Sequence, residues 1–257
     1  MLIYWLFSIS LVYLLNKIMT KVKEVRPNRK RWFRNLIRFM RIFFRRRKYI
    51  FLGEMPKETC IIFSNHVGAS APVFHELYCP IKMRFWGTYE MTGTFKDNYK
   101  YLSTIYLTNK KGFHPFVAKI LAGIICPFVR IFYKGMKLIP TYTDFRFMET
   151  IDKSMECLKG GESLIIYPED SHDGYHNHLN KYFGGGFLAA SIYCEDYKTD
   201  IKLYNCYYIK RQRTFVVDKG IPFSELKAEF GRDYKAMAQR FCERANELGD
   251  KYRKKKK

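Results

Sequence analysis

From Met1 to Leu15 the sequence carries no charge and is almost wholly apolar, running through Leu2, Ile3, Trp5, Leu6 and Phe7 to Leu14 and Leu15. Fifteen helical residues reach only about 22 Å, short of the roughly 30 Å hydrocarbon layer. Extending to Met19 with Lys17 snorkelling nearly closes the gap, so an anchor is expected, spanning or lying in the interface. No basic residue precedes the run, which disfavours a secretory signal. Next, Arg31, Arg34, Arg38, Arg41 and Arg45 recur at three- and four-residue intervals, one stripe of a helix, with Trp32, Phe33, Phe39 and Phe43 on its other faces. Such a helix suits the headgroup layer, arginines on phosphates and aromatics in the acyl boundary.

After Gly53 the pattern changes. Short apolar runs predict strands near Thr59–Ser64, Met83–Trp86, Lys137–Thr141, Ser163–Tyr167, Ile201–Ile209 and Thr214–Asp218. Between them, helices are predicted from Ala71 (capped by Ser70), from Pro115, near Phe145–Leu158, near Phe187–Cys194 and along Ser224–Leu248. The alternation predicts an α/β fold: a single domain with a mostly parallel sheet flanked by helices, preceded by the N-terminal arm. Residues 1–50 form the arm, 51–250 the domain and 251–257 a basic tail. Phe116–Phe132 is apolar on nearly all sides and reads as a core helix, the alternative being a second membrane-contacting or acyl-lining surface.

Charge narrows the partners. The chain has a formal charge of +22, and Lys17 to Lys48 holds fourteen Lys or Arg against the one acid Glu24. An anionic partner is implied. Nucleic acid would explain the arginines but not so many exposed phenylalanines, so an anionic lipid surface is expected and nucleic acid is not. A spanning arm with this basic flank would keep the domain on the cytoplasmic face. Seven scattered cysteines without a Cys-x-x-Cys pair suggest neither a disulfide framework nor a zinc site, and read as reduced core residues.

Two stretches carry candidate chemistry. Cys60 to Ser64 reads as a buried strand that runs into a turn presenting Asn65 and His66, with Gly68 in the loop before the next helix. Open α/β sheets bind ligands at such strand ends. Ser163 to Tyr167 is a second strand, ending in Pro168-Glu169-Asp170-Ser171.

In this order the chain resembles the glycerolipid acyltransferases, which acylate lysophosphatidic acid and related lysophospholipids. Asn65-His66 stands for the family's Asn-His motif, Gly135 to Thr141 for its second, Tyr167-Pro168-Glu169 for its third, and Leu203 to Ile209 for its fourth. The resemblance covers about Thr59 to Val217. It implies that His66 is general base on an acceptor hydroxyl that attacks an acyl-CoA or acyl carrier protein thioester, with no metal and no further cofactor. It also implies Asn65 beside the His. Glu169, Pro168, Ser171, Gly135, Lys137 and Gly68 are expected around the substrate, with Asp170 expected to act beside His66 as a stand-in for the family's acid. Membrane contact falls to Trp5, Arg31, Trp32, Arg34, Arg38, Arg41 and Arg45.

Several positions depart from the pattern. Ala71 stands where the family has the Asp that orients the His, Thr141 where it has an Arg, and Asp170-Ser171-His172 where it has Gly-Thr-Arg. Glu169, Asp170, Asp173 and Glu76 are the candidate stand-ins for the missing acid. Lys137, Lys181 and Arg146 are candidates for the missing cations. Lys181 to Gly186 reads as a close-packing link, or as backbone N–H groups offered to an anion. The expectation is a membrane-associated acyltransferase of phospholipid biosynthesis; the alternative is a silent lipid-binding relative.

Overall fold

The computed structural model of the chain describes residues 29–170 and 174–253. The anchor with Trp5, the third-motif residues Ser171, His172 and Asp173, and the four terminal lysines lie outside them. The elements run α1 (Arg31–Phe43), β1 (Lys48–Phe51), β2 (Cys60–Ser64), α2 (Ser70–Tyr78), β3 (Met83–Thr88), α3 (Tyr89–Thr92) and α4 (Phe95–Lys100). A π-helix (Tyr101–Lys110) follows, then α5 (Pro115–Met136), β4 (Ile139–Thr141), α6 (Phe147–Lys159), β5 (Ser163–Ile166) and α7 (Gly185–Tyr197). The chain closes with β6 (Lys202–Ile209), β7 (Thr214–Val217), β8 (Ile221–Pro222), α8 (Phe223–Phe230) and α9 (Tyr234–Tyr252).

The strands form one mixed, mostly parallel sheet in the order β1-β7-β6-β2-β5-β3-β4, with β8 also on β6. From β6 to β4 neighbouring strands are parallel, whereas β7 and β8 run against β6. Every residue of β2 and of β5 is buried, as covering a parallel sheet on both faces demands. On one face Ile61, Phe63, Leu164 and Ile166 pack with Phe187 of α7 and Phe241 of α9. On the other, Ile62 and Ile165 meet Phe33 and Ile37 of α1 and Phe74 and Leu77 of α2. This is the single α/β domain with flanking helices that the alternation predicted.

Four details differ from the expectation. Lys48–Phe51 is a strand on β7, so the sheet begins inside the stretch assigned to the arm. Its basic first residue hid it. The helix at residue 70 is preceded by Ala69 and has no side-chain cap. The last helical stretch is broken at Gly231, whose φ of +61° ends α8, and Asp233 caps α9 through the amides of Lys235 and Ala236. Lastly, α5 is not a core helix: only its small residues Ala118, Ala122 and Cys126 and its C-terminal end are buried, while Phe116, Ile124 and Phe128 are exposed.

Candidate active site at the end of strand β2

The parallel register puts the C-terminal ends of β2, β5, β3 and β4 on one edge of the sheet. His66 follows β2 there, and Tyr167 to Asp170 follow β5. Asn65 is fully buried. Its Oδ1 accepts from the Tyr208 N–H at 2.6 Å and its Nδ2 donates to the Tyr208 carbonyl at 3.3 Å. Asn65 therefore clamps the end of β2 to β6 and fixes where His66 begins; its amide is committed to main chain.

Val67 and Gly68 are both left-handed, at φ +45° and +64°. For a β-branched residue that conformation is strained by roughly 1–3 kcal/mol. The two turns fold the loop back, so that the Gly68 carbonyl lies 2.6 Å from His66 Nδ1. A carbonyl only accepts, so Nδ1 carries the proton and Nε2 keeps its lone pair. Among the described residues Nε2 has no hydrogen-bond partner. The ring lies between Tyr175, stacked at 5.0 Å, and Tyr167, tilted at 4.9 Å.

The structure brings Glu169 to His66, but not to its ring. Glu169 Oε2 accepts from the His66 backbone N–H at 3.0 Å. Burial pushes the Glu169 carboxyl up, against that hydrogen bond and the charges of His176 and Lys110. Residues 168–170 form a short antiparallel return. Phe183 donates to the Pro168 carbonyl, Asp170 to the Lys181 carbonyl, and Glu169 bridges to Tyr182. Burial pushes the His66 imidazole down to about 4, Lys110 adds to the fall, and the Gly68 carbonyl opposes it. His66 is thus neutral at physiological pH, its ring oriented by a peptide carbonyl.

The remaining candidates separate. Ala71 is fully buried in the second core. Glu76 makes a buried ion pair with Arg29, Oε2 to Nη2 at 3.0 Å, which removes it as a stand-in acid. Gly135 and Lys137 precede β4 rather than following it, so they lie at the sheet edge opposite His66; the expected strand start at Lys137 was wrong because α5 runs on to Met136. Gly135 is a packing glycine, where a Cβ would come within 2.0 Å of the Phe33 ring. Lys137 caps α5 in the left-handed conformation. Arg146 pairs with Asp144 at 2.6 Å and lies over the Tyr142 ring, and Lys181 lies over Phe183. Gly184, Gly185 and Gly186 abut Tyr234, Phe147 and Phe63 at distances that exclude a Cβ, so that link is close packing.

Sequence reasoning missed Lys110 and Lys111. They end the π-helix, a rare element often found at functional sites. Lys110 Nζ lies 5.0 Å from the Tyr175 ring centre and its charge acts on His66, Glu169 and Asp170. Lys111 Nζ is 3.8 Å from where a Cβ on Gly68 would stand. A run of Tyr, Ser, Thr and Asn gave no warning that this segment returns to the histidine. A cavity of about 230 Å³ lined by Asn205, Asp218, Arg240 and Arg244 lies elsewhere, and His66 is not among its lining residues.

No protein-family model matches the chain, and no curated protein matches it. Among solved structures it is similar to the 1-acyl-sn-glycerophosphate (LPA) acyltransferase PlsC from Thermotoga maritima. The likeness spans 87% of this chain and 81% of that one, at 10% identity and a TM-score of 0.48. A likeness so distant has no bearing on this chain's chemistry.

Proposed function

We propose that this chain is a membrane-associated O-acyltransferase, moving a fatty acyl chain from acyl-CoA or acyl carrier protein to the hydroxyl of a lysophospholipid or related acceptor. The observation that carries the reading is the His66 ring, whose Nδ1 is engaged by the Gly68 carbonyl at 2.6 Å. Nε2 takes the hydroxyl proton as the oxygen attacks the thioester carbonyl. The tetrahedral adduct then expels the thiolate, which recovers the proton from the imidazolium. Glu169 fixes the His66 backbone through its N–H. Lys110 and Lys111 stand in for the absent motif arginines and face the acceptor's anionic group. The basic stripe of α1 faces anionic lipid on the cytoplasmic side.

The Gly68 carbonyl fixes the tautomer but brings no charge to the imidazolium. In serine proteases, losing the orienting Asp lowers turnover about 10⁴-fold, so a slow enzyme is expected. The test is thiol release from acyl-CoA and from acyl carrier protein with a panel of lysophospholipids. Release that His66→Ala abolishes supports the reading, and release that it leaves unchanged defeats it. The second reading, a silent lipid-binding relative, is favoured by the buried Ala71 and by the absence, among the described residues, of a carboxylate on the ring. Turnover by the purified chain ends it.

A further inference from the structure

Helix α5 is the one described helix long and apolar enough to cross a membrane, yet its surroundings argue that it does not cross. Its twenty-two residues would measure about 33 Å. One side is fastened to the protein, with Ala118, Ala122 and Cys126 packed on Leu102 and Leu107 of the π-helix. A spanning α5 would drag that segment, with Lys100 and Lys110, into hydrocarbon, where each charge costs several kcal/mol. The opposite side is bare. Phe116, Ile120, Ile124, Phe128 and Ile131 lie on one stripe and are 67%, 52%, 61%, 71% and 51% exposed.

The bare stripe adjoins α1. Phe33 of α1 meets Phe132 of α5 edge-to-face at 5.5 Å and fills the space left by Gly135, so the two helices form one unit. Beyond that joint α1 exposes Trp32, Phe39 and Phe43. Neither helix contains an Asp or Glu. Their charges are Arg31, Arg34, Arg38 and Arg41 on α1 and Lys119, Arg130 and Lys134 on α5.

We infer that α5 and α1 form one membrane-docking face, with α5 lying lengthwise in the interface of an anionic phospholipid bilayer, its Phe116–Ile131 stripe in the acyl region. Charge selects the occupant. A second copy seated on this face would bring cation against cation, whereas anionic headgroups match the basic rim. The geometry is that of an interfacial helix with an apolar face in the acyl boundary and a basic flank. The docking holds whether or not His66 acts as a base.

The test uses the full chain, so that residues 1–28 contribute equally throughout. Phe128→Trp places a reporter on the stripe at a position open enough to accept it. With vesicles of phosphatidylcholine and phosphatidylglycerol, the added emission is expected to shift blue and to be quenched by bromine on the acyl chains. Emission untouched by brominated lipid while the chain is on the vesicles overturns the inference. Ile124→Asp with Phe128→Asp is expected to weaken partitioning by roughly tenfold or more, with unchanged thermal unfolding in solution. Unchanged partitioning, joined to loss of a dimer in light scattering, would assign the stripe to a second copy instead. Equal binding of the wild-type chain to vesicles with and without phosphatidylglycerol would also overturn it.

Discussion

Two histidines nine residues apart, His66 and His75, flank the same Tyr167 ring at 4.9 Å and 6.2 Å, and the protein uses them differently. Burial lowers both, His66 to about 4 and His75 to about 3. The difference lies in the nitrogens. His75 is fully buried on α2, with Nδ1 on the Tyr49 hydroxyl at 2.9 Å and Nε2 on Ser64 Oγ at 3.3 Å. Both nitrogens are occupied, and Phe215 packs on the ring at 4.1 Å. His66, at the sheet edge, has one nitrogen engaged by a carbonyl. A depressed pKa therefore does not by itself set His66 apart from His75; the lone pair left over after packing does.

That contrast breaks most sharply at the ring deletions. His66→Ala is expected to lower acyl transfer about 10²–10⁴-fold while leaving thermal unfolding nearly unchanged, as steady-state thiol release and calorimetry would read. His75→Ala should do the reverse. It opens a cavity beside Phe215 and takes one partner from each of the Tyr49 and Ser64 hydroxyls, costing about 3 kcal/mol in denaturant unfolding. If His75→Ala were as stable as wild type, the structural role assigned to it would fail.

Acid sharpens the contrast next. Both folded-state values lie below the unfolded value near 6.5, so the unfolded chain binds more protons and stability falls as pH drops below about 6.5. For the buried His75 the loss amounts to about 2 kcal/mol by pH 5, and is complete only below about pH 3. In His75→Ala the denaturation midpoint should lose much of that slope between pH 6.5 and 4. Turnover, by contrast, should stay flat from pH 5 to 8 where the fold holds, because His66 is already neutral. Glu169→Gln removes a charged acceptor from the His66 N–H and should cost about 1–2 kcal/mol, close to tenfold in turnover. An unchanged rate would detach Glu169 from the site.

How legible this was varied with the kind of signal. Strand β2 and its Asn-His turn were plain, because a five-residue run buried on both faces has few other homes. Glu169 was legible in place but not in contact, since its partner is an N–H that every residue carries. The carbonyl that orients His66 leaves no side-chain signature at all; only the left-handed Gly68 hinted at it. Of the four acids the sequence offered beside His66, Glu76 is taken by Arg29 and Glu169 by the His66 backbone N–H, contacts that carry no sequence pattern, while Asp173 lies outside the described residues. Lys110 and Lys111 were hidden because the ten-residue π-helix that delivers them has no sequence pattern. Gly135 and Lys137 were misplaced because α5 outran its expected end. The exposure of α5 was misread for a related reason: apolar residues all round a helix imply burial, but do not say in what.

The central claim is that a peptide carbonyl holds His66 with Nε2 free to accept a proton. Nitrogen-15 spectra of the histidine side chains, assigned through His66→Gln and His75→Gln, test it directly. A neutral His66 ring with the proton on Nδ1, unchanged from pH 8 down to about 5, is the predicted result. A His66 ring that is cationic at pH 7, or that carries its proton on Nε2, would contradict it.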